Sequence, residues 1–126
     1  MKMVSKSTLL TLLVILGVLH VIAIYFYIYW TAPGFDVFMH ALGGAFAGLF
    51  SLGMAQEIYG ESLTRRKAFF WAIIGAIFIG ALWECFEFCT GMTFTTSHNF
   101  TSDTTIDMIM DVAGALLIYI FSLAKA

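Results

Sequence analysis

The chain has 126 residues, 61% of them hydrophobic and 11% charged, with a formal net charge of −2 and a mean hydropathy of +0.95. One small domain of this length could not bury that much apolar side chain in a water-soluble core, which excludes a soluble globular enzyme. No basic excess is left for a nucleic-acid partner, and no phosphate loop, G-x-S-x-G elbow or dinucleotide fingerprint appears.

A helix that crosses a bilayer needs about 20 mostly apolar residues. Residues 9–30, 35–56, 68–90 and 104–123 meet that requirement. They predict an all-α, polytopic four-transmembrane-helix bundle, a single integral membrane domain over 1–126. The first span has an apolar run too long for a signal peptide, and no small-x-small cleavage site follows, so it is expected to be retained. His20 lies near its mid-depth and shares a face with Gly17. A lone histidine there reads as a hydrogen-bonded packing residue or as a group at a cavity floor. Tyr25, Tyr27, Tyr29 and Trp30 fit an interfacial aromatic belt, and Trp71 fits the opposite one. Pro33-Gly34 breaks the chain in a turn over 31–34.

The second span opens with Asp36 and carries His40 one turn deeper. The third carries Trp83, Glu84 and Glu87 near its end. Cys85 and Cys89, one turn apart, form neither a disulfide framework nor a CxxC pair, and are expected as inert packing residues. The fourth span carries Asp103, Asp107 and Asp111 at intervals of four. Polar loops at 57–67 and 91–102 join the spans. The second contains His98 and Asn99-Phe100-Thr101, an acceptor pattern for N-glycosylation.

Four spans place Lys2, Lys6, Arg65, Arg66, Lys67 and Lys125 on one side of the membrane. The bias of Lys and Arg toward the cytoplasm then predicts both termini and loop 57–67 inside a cell membrane, with loops 31–34 and 91–102 outside. A rise of 1.5 Å per residue puts Glu84 and Glu87 roughly 5 to 10 Å below the outer surface, Asp107 about 6 Å and Asp111 about 12 Å. Three helices therefore carry carboxylates in the same half of the bilayer.

Positions three or four apart share a helix face. Asp36, His40, Gly44 and Gly48 form one stripe. Ala72, Ala76, Gly80, Glu84 and Glu87 form a second, and Asp103, Asp107, Asp111, Gly114 and Ala115 a third. Small residues at the cytoplasmic ends allow close helix contact, while the acidic ends are expected to splay around a pocket open to the outside. Gly44-x-x-x-Gly48 serves such contact equally well within one chain or in a homo-oligomer.

An ionisable group costs about 2.5 to 3.5 kcal/mol at mid-membrane even on the lenient insertion scale, and it marks a functional site by default. No Lys or Arg lies in the spans to pair with these acids, which leaves protonation, water or a bound cation. Carboxylates with imidazole suit a divalent metal ion, whose identity the donor set leaves open. The expected ligands are His40, Glu84, Glu87, Asp107 and Asp111, in a one- or two-metal arrangement. Asp36, Asp103, His98, His20 and Trp83 are expected at the rim or in support. Asp36 and Asp103 also suit helix N-termini through the dipole alone.

Asp36-x3-His40-x2-Gly43, Trp83-Glu84-x2-Glu87 and Asp107-x3-Asp111-x2-Gly114-Ala115 resemble the VanZ-like and YjdF-like membrane proteins of bacteria and archaea. Asp103-Thr104-x2-Asp107-Met108 is closer to the YjdF-like pattern, and the resemblance covers about residues 35–120. It implies a small helical membrane protein. For the VanZ-like branch it implies a link to glycopeptide resistance and cell-envelope lipids. The chain is shorter than many of those proteins, and it has Asp111 where the VanZ-like pattern usually has Asn. The leading expectation is divalent-cation binding that serves an envelope lipid head group. A cation or proton transporter and a structural protein with a buried polar network are the alternatives.

Overall fold

Capping side chains start the helices where the apolar runs begin. Ser5 Oγ accepts the Thr8 N–H at 3.0 Å, Thr64 Oγ1 accepts that of Lys67 at 3.3 Å, and Asn99 Oδ1 accepts that of Ser102 at 2.9 Å. Each satisfies a first-turn donor that the helix itself leaves open. The Asn99 side chain of the glycosylation pattern is thus engaged as a cap.

A computed structural model of the chain describes residues 3–91 and 99–125. Its helices are α1 (Lys6–Tyr25), α2 (Ile28–Thr31), α3 (Phe35–Tyr59), α4 (Arg65–Thr90) and α5 (Phe100–Lys125), with a 3-10 turn at Gly60–Ser62. Four of them are long and apolar enough to cross a membrane. Their outer faces expose large apolar side chains, among them Val21, Ile74, Phe78, Ile109 and Leu117. The protein is a four-helix, multi-pass membrane bundle. Cys85 and Cys89 are free and lie on the exposed side of α4.

The first span, expected to run unbroken over 9–30, ends early. Tyr27 takes φ 57° and ψ 28°, the left-handed region, which costs a side-chain-bearing residue roughly 1–2 kcal/mol. The break turns Tyr29 inward. Its hydroxyl lies 2.7 Å from His20 Nδ1, and its ring meets Phe35 edge-on. Tyr29 is therefore buried and leaves the interfacial belt, while Tyr25 and Tyr27 stay exposed.

Helix α3 is central and packs against α5, α4 and α1. Each of its main neighbours buries one stripe. On α4 this is Ala68, Ala72, Ala76, Gly80, Glu84 and Glu87. On α5 it is Asp107, Asp111, Gly114, Ala115, Tyr119 and Ser122. Ala47, Ala76 and Ala115 meet where α3, α4 and α5 converge. A Cβ added to Gly48 would come within 2.9 Å of the Ala115 methyl, and one on Gly114 would run into the Ala41 carbonyl. Small residues bring these backbones together, which is how helices gain contact in lipid, where no hydrophobic force acts between them.

At one end of the bundle Leu49, Leu52, Leu63, Ala72 and Tyr119 form an apolar cluster. Gln56 Oε1 accepts the Met3 N–H at 2.7 Å there, fastening the chain before α1. Lys6, Arg65, Arg66, Lys67 and Lys125 fall at the helix ends on this side. The start of α3, the end of α4 and the start of α5 form the opposite, acidic end.

Candidate functional site

His40 stands one turn into α3 and points between α4 and α5. Its Nε2 lies 3.5 Å from Glu84 Oε1, 3.6 Å from Asp107 Oδ2 and 3.9 Å from Asp36 Oδ1. On the other side of the ring, Nδ1 lies 3.3 Å from Asp111 Oδ1 and 3.4 Å from Oδ2. Three helices thus place four carboxylates around one imidazole. His40, Glu84 and Asp111 are each at most 5% exposed, and Glu87 and Asp107 1%. Asp36 is partly buried at the edge.

Two further bonds set the carboxylates. Thr104 Oγ1 donates to Glu84 Oε2 at 2.7 Å, which directs Oε1 toward His40. Trp83 Nε1 donates to Glu87 Oε1 at 2.8 Å. What remains is unsatisfied. His40 Nε2, Glu84 Oε1 and both Asp107 oxygens are buried with no hydrogen-bond partner among the described residues. Buried polar atoms are nearly always bonded, so such a group calls for an explanation. Direct ion pairing does not supply it. Charge-assisted N–H···O bonds close to about 2.7–2.9 Å, and the Nε2 separations of 3.5–3.9 Å stay well outside that range. Asp36, His40 and Asp107 can each offer one donor atom within 4.8 Å of the others, and so can His40, Glu84 and Glu87.

Asp111, one of the expected ligands, meets the imidazole on the opposite nitrogen from Glu84 and Asp107. It lies behind the imidazole, on Nδ1. Glycines make room for it: a Cβ on Gly80 would run into Asp111 Oδ2, and one on Gly44 into the Asp111 backbone carbonyl. These same contacts hold the acidic ends of the helices together. Among the described residues the carboxylates gather around His40.

Asp103 is partly buried and does not join the His40 set. His20 does not join it either; its ring packs edge-on to Trp83, 5.6 Å between centroids. His98 lies outside the described residues. Thr104 and Tyr29 were not singled out as site residues. Thr104 sits three residues before Asp107 on the same face, so spacing alone could have identified it. Tyr29 could not be found that way, because it depends on the break at Tyr27.

A cavity of about 300 Å³ lies between α1 and the facing sides of α3 and α4. Leu13, Gly17, Phe46 and Ile79 line it, and it reaches Asp36, His40 and Asp111. It is partly open, and the exposed Leu13 and Gly17 are among its lining residues.

No curated protein and no solved structure matches the chain. The model of one family does match, across all four spans and the acidic cluster, over residues 2–125. The chain belongs to that family, described as Predicted membrane protein (DUF2238).

Proposed function

We propose that the protein binds one divalent cation at the acidic end of the bundle. His40 Nε2 and one oxygen each from Asp36, Glu84 and Asp107 are its ligands, Glu87 borders the shell, and Asp111 orients the imidazole. The observation that carries this reading is that His40 Nε2, Glu84 Oε1 and Asp107 Oδ2 are all buried without a hydrogen-bond partner, with Nε2 3.5 Å from the first oxygen and 3.6 Å from the second. Metal–ligand bonds of about 2.0–2.6 Å put neighbouring donors roughly 3 to 3.7 Å apart around one ion. A donor set of several carboxylates and one imidazole suits Mg²⁺- or Mn²⁺-type ions. Such an ion also offsets charge that the bilayer interior penalises.

The side of the membrane is part of the proposal. The basic residues at the far end support an outward-facing acidic end. The resemblance to VanZ-like and YjdF-like proteins supports a setting beside envelope lipid head groups in the cell membrane. The contact of Ala47, Ala76 and Ala115 beneath the cluster supports a binding site over a transport path.

Equilibrium dialysis of the detergent-purified protein against Mn²⁺ tests the reading. One ion per chain is expected, with loss in the Glu84→Gln, Asp107→Asn double variant. Wild-type protein that takes up no Mn²⁺, with a variant altered only in thermal stability, would leave a structural polar network as the account.

A further inference from the structure

The cavity beside α1 is a second feature, distinct in composition from the cation cluster it touches. We infer that it is a binding site for a single-chain amphiphile with an uncharged, hydroxyl-bearing head. The hydrocarbon chain enters from the bilayer along α1, and the head meets Asp36 at the inner end. This reading rests on the proposed cation site only for the company the head group keeps.

Four observations carry it. The walls at Leu13, Leu16, Phe46 and Ile79 are apolar, and Asp36, His40 and Asp111 add only a small polar patch to the lining, which suits a long hydrocarbon chain with a small polar head. Its volume, about 300 Å³, is at the low end for small-molecule sites, roughly 300–1,000 Å³, which suits one chain and not a two-chain lipid. α1 packs along α3 without a backbone approach to α4, and the exposed Leu13 and Gly17 are lining residues, so the cavity communicates with the lipid phase sideways. Finally, two lining glycines face vacant space: a Cβ on Gly17 or on Gly43 would meet nothing within 4 Å. Helix contact elsewhere in this bundle uses glycine to bring backbones together. Here the missing side chains keep a space open.

The polar end selects the head. No Lys or Arg lines the cavity, and two of its lining groups are carboxylates. An anionic head would meet like charge, whereas a hydroxyl can donate to Asp36. His20, Tyr29 and Trp83 are lining residues too; the His20 ring stands edge-on to Trp83 and its Nδ1 is 2.7 Å from the Tyr29 hydroxyl.

The test uses a long-chain primary alcohol with a diazirine in its chain, photolysed with wild-type protein in phosphatidylcholine nanodiscs, and labelled residues mapped by mass spectrometry. Labelling at Leu13, Leu16, Phe46 and Ile79 is expected to saturate. It should be competed by excess unlabelled dodecanol, less well by dodecane or dodecanoate. Gly17→Phe and Gly43→Leu, which fill the space without a backbone clash, should each cut cavity labelling at least about tenfold. Ile109 and Leu117, exposed on α5, should label as before in these variants. Cavity labelling no stronger than at Ile109 and Leu117, or untouched by competitor or by the filling substitutions, overturns the inference and leaves ordinary annular lipid. Mn²⁺ binding measured on the same samples separates the two readings. Filled variants that still bind Mn²⁺ report on the cavity alone, and wild type that labels but binds no Mn²⁺ contradicts only the cation site.

Discussion

Asp111 faces His40 through Nδ1, at 3.3 Å and 3.4 Å, while the other ring nitrogen faces Glu84, Asp107 and Asp36. In a neutral imidazole one nitrogen donates and the other accepts. A hydrogen on Nδ1 directed at Asp111 leaves the Nε2 lone pair free for a cation. This carboxylate–histidine relay is the usual support behind a metal-bound histidine.

The roles of the acids should therefore separate on mutation. Asp111→Ala is expected to weaken Mn²⁺ binding by about 10–100-fold, with partial recovery in Asp111→Asn, which keeps an acceptor for Nδ1–H. Asp107→Ala should abolish binding. Isothermal titration of the purified variants checks this. Equal losses at both positions, with no recovery in Asp111→Asn, would make Asp111 a ligand.

Thr104 aims one oxygen of Glu84 by occupying the other at 2.7 Å. Thr104→Val is nearly isosteric and removes the donor. It should weaken cation binding by about 10-fold or more, and Thr104→Ser should restore it. The same titration reads the effect, and thermal unfolding shows whether the fold is intact.

Close approach around Asp111 should be the most size-sensitive feature of the bundle. Gly44→Val places a side chain against the Asp111 backbone carbonyl. It is expected to destabilise the bundle by about 1–3 kcal/mol or more. Gly53→Ala, whose new methyl would meet only Val4 Cγ1 at 3.7 Å, should be near neutral. Unfolding of both variants in mixed micelles measures the difference.

Much of the architecture was legible in the chain. Apolar length marked four helices, because a bilayer demands about 20 such residues and leaves little choice of element. Three-four spacing placed His40, Glu84, Glu87, Asp107 and Asp111 on stripes that three helices turn toward each other. The rest depended on contacts that spacing does not encode. The stripe that carries both Asp107 and Asp111 does not say which side of an imidazole each will occupy. That follows from the depth at which α3 and α5 cross, set by Gly44 against the Asp111 carbonyl. Nor does the run of apolar residues around Tyr27 announce a left-handed break. Length alone gave a straight helix, and the burial of Tyr29 and the offset of α1 went with it.

Sidedness is a separate prediction. With Cys85 and Cys89 replaced by alanine, a cysteine at Thr101 should react with a membrane-impermeant maleimide on intact cells. One at Thr64 should react only after lysis, as the bias of Lys and Arg toward the cytoplasm predicts for the basic ends of the helices. The reverse pattern would place the acidic end inside.

The central claim is that His40 Nε2 and its neighbouring carboxylates surround a cation. Anomalous diffraction from Mn²⁺-soaked crystals tests it most directly. A single peak per chain is expected at bonding distance, about 2.1 Å, from His40 Nε2, with Glu84 and Asp107 oxygens at similar range. No peak at the cluster, with Nε2 closed onto a carboxylate at ordinary hydrogen-bond length, would contradict it.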